Sequence, residues 1–78
     1  MKWQGTKVYP QKDFTLIIEF ADGKTKLFDM KPLLADEINK PLRNIDFFMT
    51  AKVDHQTVAW SDDLDLCPEY IYEKGVKI

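Results

Sequence analysis

Five carboxylates lie close together near the end of the chain, in the segment WSDDLDLCPEYIYE at residues 60–73. They are Asp62, Asp63, Asp65, Glu69 and Glu73. Carboxylate oxygens bind hard cations such as Mg²⁺ and Ca²⁺, and a pair of carboxylates can carry acid–base chemistry when burial separates their pKa values. The segment therefore raises the hypothesis of a metal-dependent enzyme or ligand-binding domain that uses Asp62, Asp63 and Asp65.

The spacing of these aspartates does not match the calcium-binding loop of EF-hand proteins. That loop needs the pattern D-x-[DN]-x-[DN]-G and a more distant glutamate, whereas Leu66 and Cys67 occupy the positions of the glycine and the further ligands. Catalysis by a carboxylate pair would need burial, which the sequence does not indicate. We predict no catalytic residue, no metal ligand and no cofactor.

A structural interpretation accounts for more of the segment. Trp60 ends a strand, and Asp62 and Asp63 form an exposed turn after it. Pro68 then opens a short helix, and Glu69 lies in its first turn, where a carboxylate complements the helix dipole. Asp65 is near enough to cap or support this helix start. The segment is therefore interpreted mainly as a polar turn followed by a helix.

The other reactive side chains are isolated in sequence. His55 lies at a predicted hairpin tip without a second histidine or cysteine nearby, and Cys67 is predicted to be a buried, small apolar residue. No phosphate-binding glycine loop or nucleophile elbow is present. Four cations could form a modest basic patch, but acidic residues lie between them, so a solvated surface is favoured. They are Lys24, Lys26, Lys31 and Arg43.

The clearest local pattern is FTLIIEFADGKTKLFD at residues 14–29, where apolar residues alternate with period two as in a strand. Asp22-Gly23 predicts a two-residue type I′ turn, which would place Glu19 opposite Lys26 and Ile18 opposite Leu27. The predicted core face is Leu16, Ile18, Phe20 and Leu27. A further strand is predicted over residues 6–10.

The remaining segments predict two short helices and a second hairpin. Asp29 and Pro32 suit the start of a helical turn whose apolar stripe is Leu33, Leu34 and Ile38. Residues 49–53 and 57–60 form the hairpin, and Gly75 is predicted to end the last helix in a left-handed cap. The predicted fold is α+β, a small and mostly antiparallel sheet of two hairpins with two short helices, in the order β-β-β-α-β-β-α.

Size and composition limit the classes of protein that fit. The 78 residues predict one domain over 1–78, and a single cysteine excludes an internal disulfide. No signal peptide is predicted from the first residues and no apolar run is long enough to span a membrane, so a cytoplasmic location is expected. Residues 1–53 carry nine basic and seven acidic side chains, and residues 54–78 carry two and six. The acidic end disfavours direct binding of nucleic acid.

The order of these features resembles a bacterial family of small proteins, the domain-of-unknown-function family 2442. The shared pattern is V-x-P, D-x-x-L-x-x-x-F-x-[DN]-G, F-D-x-x-P-L, and finally W-x-x-x-x-D-[LIA]-x-P-E-x-[LI]-Y-E. Its elements stand here as Val8-Tyr9-Pro10, Asp13, Leu16, Phe20, Asp22-Gly23, Phe28-Asp29, Pro32-Leu33, Trp60, Asp65-Leu66, Pro68-Glu69 and Ile71-Tyr72-Glu73. The last element is the most specific, and the match covers nearly the whole chain.

The resemblance implies a compact α+β fold, gene settings suggestive of toxin–antitoxin pairs, and no assigned catalytic residues. It favours a structural role for the signature residues Asp22, Gly23, Asp29, Pro32, Asp65, Pro68, Tyr72 and Glu73. The resemblance also implies that some members carry a helix-turn-helix segment; none is predicted within residues 1–78, so we expect a regulatory role to need a partner.

The leading hypothesis is a non-catalytic domain that binds another protein, as an antitoxin-like or regulatory partner. The candidate contact surface is Trp60, Asp62, Asp63 and Glu69. A metal-dependent enzyme or ligand-binding domain is the alternative, and a nucleic-acid accessory protein is a weaker one. Edge strands could pair in a homodimer, whereas Lys7 and Lys12 are typical of an unpaired edge, so monomer and homodimer both stay open.

Overall fold

Two antiparallel sheets form the framework of the protein. The computed structural model describes residues 3–78. The first sheet has four strands in the order β1-β2-β3-β7, and the second has three in the order β4-β5-β6. Their bounds are β1 Gly5–Pro10, β2 Thr15–Phe20, β3 Thr25–Asp29, β4 Lys52–Asp54, β5 Thr57–Ser61, β6 Leu64–Asp65 and β7 Val76–Lys77. This confirms the predicted α+β class, although the strands divide into two sheets.

In the described part of the chain, four short helices connect and cover the strands. Two 3₁₀ helices, Lys31–Ala35 and Glu37–Arg43, follow β3, and α1 (Ile45–Phe48) and α2 (Pro68–Lys74) are α-helical. Local side-chain bonds begin two of them, because Asp29 Oδ1 accepts from the N–H of Lys31 at 2.9 Å and Asn44 Oδ1 accepts from that of Asp46 at 3.0 Å. Among residues 3–78, no helix is long and apolar enough to cross a membrane.

One hydrophobic core joins the two sheets and the helices. Alternation along β2 turns Leu16, Ile18 and Phe20 inward, where they are at most 3% exposed. The other members of the cluster are Phe28, Met30, Leu42, Phe48, Val58, Trp60, Ile71 and Tyr72. Truncating a fully buried phenylalanine such as Phe48 to alanine costs about 3–5 kcal/mol, so this side chain contributes strongly to holding α1 on the core.

The predicted register of the β2–β3 hairpin is wrong by one residue. The N–H of Gly23 donates to the carbonyl of Phe20 at 3.0 Å, and the N–H of Phe20 donates to the carbonyl of Lys24 at 2.8 Å. Gly23 has a φ of +88°, whereas Asp22 has no positive φ, so the loop has three residues and ends in a left-handed glycine. The Oδ1 atom of Asp22 accepts from the N–H of Lys24 at 2.9 Å and stabilises this turn.

The shifted register changes the face to which β3 contributes its side chains. Phe28 enters the core in place of Leu27, because a slip of one residue moves each side chain to the opposite face. Leu27 instead joins an outer row of cross-strand neighbours with Tyr9, Ile17 and Val76. Tyr9 is 45% exposed and Val76 is 65% exposed, so this row faces outward.

The second predicted hairpin is present as β4 and β5, and it has the type of turn expected for the first. Asp54 pairs with Thr57, so His55 and Gln56 form a two-residue loop. Both have positive φ, 52° and 68°, as a type I′ turn requires. Met49, predicted to begin this hairpin, lies before β4 in a turn.

Two short strands were not anticipated, and the conformation at the end of α2 was predicted wrongly. β6 and β7 have two residues each and extend the predicted order of elements. Gly75 follows α2 with a φ of −68°, so the predicted left-handed cap is wrong. A Cβ at this position would lie 2.8 Å from the carbonyl oxygen of Ile71 and 3.1 Å from Cβ of Lys26, so glycine allows the chain to pass close to β3.

Candidate functional site

The first part of the acidic segment forms the tip of the β5–β6 hairpin. Ser61 ends β5 and pairs with Leu64, the first residue of β6, so Asp62 and Asp63 form the connection. Both aspartates are exposed, whereas Leu64 is half-buried against the core. The predicted exposed acidic turn is therefore present, and it lies at the end of the smaller sheet.

An open groove of about 470 Å³ lies between this hairpin tip and the helices. Its walls come from the second 3₁₀ helix, from α1 and from the hairpin. The lining residues are Ile38, Pro41, Phe47, Ser61, Asp63 and Leu64. Ile38 is 72% exposed, the highest exposure among the large apolar side chains of residues 3–78. We call this feature the acidic groove, because Asp63 lines it beside four apolar side chains.

Trp60 supports the acidic groove from inside the protein. Its indole Nε1 donates to the carbonyl oxygen of Phe48 at 2.8 Å, and the two ring centroids lie 5.8 Å apart. The side chain of Trp60 is only 6% exposed. The bond joins β5 to α1, which carry opposite walls of the groove. Trp60 therefore positions the walls and does not itself present a surface to a partner.

We call the exposed charged residues that directly precede the lining residues in sequence the rim of the acidic groove, and more of them are negative than positive. Glu37 precedes Ile38, Asp46 precedes Phe47, and Asp62 precedes Asp63; all are exposed. Within residues 3–78, no ion pair involves any of these four carboxylates.

Two neighbouring cations, Lys40 and Arg43, offset part of this charge and leave a negative excess. The guanidinium of Arg43 donates to the carbonyls of Leu34 and Ala35, at 2.7 and 3.3 Å. Lys40 is the exposed cation next to Pro41. The rim is therefore expected to have a negative potential that attracts cations.

The other predicted acidic residues lie away from the acidic groove. Asp65 belongs to β6, and Glu69 and Glu73 belong to α2; none of the three lines the groove. In the described part of the chain, no group of three or more His, Cys, Asp and Glu side chains is placed to hold one metal ion. Asp65 also makes no cap on α2, whose N-cap residue Cys67 has no side-chain hydrogen bond.

A second polar cluster surrounds Tyr72, which is 8% exposed. Its hydroxyl donates to Oδ2 of Asp22 at 2.5 Å and accepts from Nζ of Lys24 at 3.2 Å. Nζ of Lys26 donates to the carbonyl oxygen of Tyr72 and lies 3.8 Å from the centroid of its ring. These contacts hold the β2–β3 turn against α2, so two residues of the resemblance, Asp22 and Tyr72, meet in space.

The contacts of Tyr72 also change the protonation of its neighbours. The hydrogen bond from the Tyr72 hydroxyl is the main cause that lowers the pKa of Asp22, and the N–H of Lys24 contributes. The pKa of Lys24 is raised, first by its bond to Tyr72 and then by the negative charge of Asp22. Each group therefore favours the charged form of the other.

Three of the remaining signature residues lie at a turn or a helix start. Gly23 has the positive φ of the hairpin loop, Pro32 lies in the first turn of a 3₁₀ helix, and Pro68 in that of α2. His55 is exposed, with Nε2 3.7 Å from Asp54. Cys67, predicted to be buried, is exposed, because its position at the N-cap of α2 turns it away from the core.

The apolar part of the acidic groove was missed by reasoning from the sequence. Ile38 was predicted to join Leu33 and Leu34 in a buried stripe, and this is wrong for Ile38. Pro41 interrupts this region and favours a 3₁₀ helix, whose period of three directs Ile38 outward. A proline three residues after an isolated isoleucine was the signal that could have indicated this exposure.

Comparison with known proteins identifies one family. A family model described as "Protein of unknown function (DUF2442)" matches residues 6–77, nearly the whole chain. No curated protein and no solved structure matches the chain.

Proposed function

The chain belongs to the DUF2442 family of proteins of unknown function, and we propose that it is a non-catalytic interaction domain whose acidic groove binds a basic protein partner. The observation that carries this proposal is the exposed apolar groove lined by Asp63, with Asp62 next to it at the hairpin tip and no ion pair to either carboxylate within residues 3–78. A regulatory, antitoxin-like role would follow from binding and neutralising or recruiting such a partner.

The composition of the acidic groove supports protein binding. Exposed apolar side chains rimmed by polar ones are typical of interaction sites, since the apolar centre supplies affinity and the charged rim excludes wrong partners. Asp62 and Asp63 would steer a basic partner by long-range attraction, which raises the association rate at low salt. Glu69 lies on α2 outside the groove and is not part of this surface.

The position of Trp60 supports a pre-formed site. Its hydrogen bond to Phe48 fixes α1 relative to β5 before any partner arrives. A surface that is already ordered loses less conformational entropy on binding, so more of the contact energy appears as affinity.

Charge reversal at the rim tests this proposal. The tagged protein is used to capture partners from native lysate treated with nuclease, and the captured protein is then purified and titrated against variants. Asp62→Lys with Asp63→Lys should reduce affinity at low salt by at least about tenfold and weaken its salt dependence.

A charge-matched control separates the groove from net charge. Asp65→Lys with Glu73→Lys changes the net charge equally at exposed positions outside the groove. This control should retain affinity for the partner. If the two double variants changed affinity equally, or if neither changed it, the placement of the site would be contradicted. Capture of a partner that disappears with nuclease would instead support a nucleic-acid accessory role.

A further inference from the structure

We infer that the acidic groove takes one segment of its partner, in which a bulky apolar side chain inserts between Ile38, Phe47 and Leu64 and a neighbouring Lys or Arg pairs with Asp63. The inference rests on the proposed function and adds the chemistry of the bound segment. It predicts recognition of a short motif, whereas the proposed function requires only a basic partner surface.

The dimensions of the groove favour a side chain over a broad surface. A volume of about 470 Å³ lies within the range of pockets that enclose small ligands, about 300–1,000 Å³. Such a space accommodates one or two large side chains. The most exposed wall residue, Ile38 at 72%, gains the most from being covered, because its apolar surface is now in water.

The placement of charge specifies what flanks the apolar side chain. Asp63 is the one carboxylate of the described chain that lines the groove itself, and Asp62 lies next to it at the tip of the hairpin. An inserted apolar side chain excludes water near Asp63, which strengthens a charge-assisted bond to a cation placed there. A segment with an acidic residue at that position would be repelled. The apolar anchor and the cation are therefore expected within a few residues of one another.

The groove also has walls that can hold an inserted side chain without rearrangement. Phe47 is carried by α1, whose next residue, Phe48, is fully buried and bonded to Trp60. On the opposite side, Leu64 is anchored by its pairing with Ser61 and packs against the core. Both apolar walls are thus fixed at their base while their outer surfaces remain accessible.

Short synthetic peptides test the inference without knowledge of the natural partner. The probe peptide places one Phe and one Arg two residues apart in a Gly-Ser framework, and its controls replace Phe by Ser or Arg by Glu. Each peptide is titrated into the full chain labelled with ¹⁵N and ¹³C, and amide and methyl shifts are followed by NMR. The probe should give saturable shifts at Ile38, Phe47, Asp63 and Leu64, and each control should bind at least about tenfold more weakly.

Two variants of matched type keep the test independent of folding. Ile38→Ser removes the exposed apolar wall and should weaken the probe peptide about fivefold or more. Val76→Ser removes a similarly exposed apolar side chain from the outer face of the first sheet and should leave binding unchanged. Both positions are exposed, so neither change removes a core contact.

Three results would overturn the inference. One is that the control peptide in which Ser replaces Phe binds as tightly as the probe. This would indicate recognition by charge alone and would leave the proposed function standing. The second is an absence of saturable shifts in the groove up to about 5 mM probe, the range of weak single-anchor binding. The third is self-association of the unliganded chain with shifts at the same residues, which would make a second copy the occupant. Failure of the proposed function can be told apart from failure of this inference. It would appear as unchanged partner affinity in the variant Asp62→Lys with Asp63→Lys, whatever the peptides do.

Discussion

The hydroxyl of Tyr72 donates a hydrogen bond to Oδ2 of Asp22 at 2.5 Å, and the two residues are 50 positions apart in the chain. The bond joins the turn between β2 and β3 to α2. Lys24 donates to the same hydroxyl, and Lys26 lies over the face of the Tyr72 ring. The rings of Tyr72 and Phe20 also pack edge to face, with centroids 5.0 Å apart. This residue therefore connects the hydrophobic core to a charged turn.

Removing the hydroxyl of Tyr72 is expected to destabilise the protein without opening the core. Tyr72→Phe keeps the ring packing and loses the bond to Asp22, so Tm should fall by about 4–8 °C. Tyr70→Phe is the matched control, because Tyr70 is 42% exposed and its ring contact with Phe28 is retained. Thermal unfolding followed by circular dichroism measures both. Equal Tm values for Tyr72→Phe and the parent would show that the bond contributes nothing.

The same bond predicts a loss of stability in acid. Because the pKa of Asp22 is lowered in the folded protein, its ionised form stabilises the fold above about pH 4, the pKa region of an unfolded aspartate. This contribution disappears as the pH falls through the lowered pKa. Asp22→Asn should therefore be less stable than the parent at pH 7, and the difference should narrow toward about pH 2.

A control of equal charge isolates this effect. Asp62→Asn also removes one exposed carboxylate, and within residues 3–78 this side chain makes no hydrogen bond or ion pair. Urea unfolding of both variants across the acid range gives the comparison. If the deficit of Asp22→Asn stayed constant with pH, the charge of Asp22 would not be the cause.

The sequence predicted the strands of the first hairpin better than their register. Period-two alternation over residues 14–20 is a local property, and it identified Leu16, Ile18 and Phe20 as the core face of β2. Asp-Gly suits both a two-residue type I′ turn and a three-residue loop that ends in a left-handed glycine. The structure has the second, in which Asp22 bonds both to Lys24 and to Tyr72. Tyr72, the partner in α2, is remote in sequence, so turn preferences based on neighbouring residues could not take its contact into account.

The candidate site shows the same division between local and long-range information. An exposed turn at Asp62 and Asp63 follows from their polarity and from the strand that ends beside Trp60. The apolar wall opposite could not be predicted, because Ile38 fits a buried helical stripe equally well when its neighbours are unknown. The contact that brings the two walls together, from Trp60 to Phe48, is set by packing of the core.

Trp60→Phe is expected to weaken the attachment of α1. The carbonyl of Phe48 would keep its bond from the N–H of Ala51 at 3.2 Å but lose the indole donor. Together with the reduced buried volume, this should lower the free energy of unfolding by about 1–3 kcal/mol. Urea unfolding followed by circular dichroism measures the change. Trp3→Phe is the control and should lower the free energy of unfolding less, since Trp3 is only half-buried. A larger loss from Trp3→Phe than from Trp60→Phe would contradict the supporting role of Trp60.

Two glycines should respond differently to replacement. At Gly75 a Cβ meets the carbonyl of Ile71 at 2.8 Å, so Gly75→Ala forces a backbone shift and should cost about 1–3 kcal/mol. At Gly23 there is open space but φ is +88°, so Gly23→Ala should cost about 1 kcal/mol through strain alone. Gly23→Asn should restore part of that loss because asparagine tolerates this conformation, whereas Gly75→Asn should not. Chemical unfolding of the four variants measures these losses of stability. If asparagine restored as much stability at Gly75 as at Gly23, the steric contact at Gly75 would not be the cause of its loss.

The acidic hairpin is expected to bind no divalent cation, which addresses the alternative of a metal-dependent enzyme. Among residues 3–78, no three His, Cys, Asp or Glu side chains converge on one point. A cation that binds only the folded chain at 100 times its Kd would add about 2.7 kcal/mol, and Tm would then rise by more than about 10 °C in a domain of this size. Millimolar Mg²⁺, Mn²⁺ or Ca²⁺ should leave Tm unchanged relative to chelator-treated protein. A rise in Tm would contradict this expectation. If the double variant Asp62→Asn with Asp63→Asn no longer showed that rise, the metal site would be assigned to the hairpin, because the two carboxylates would be its ligands.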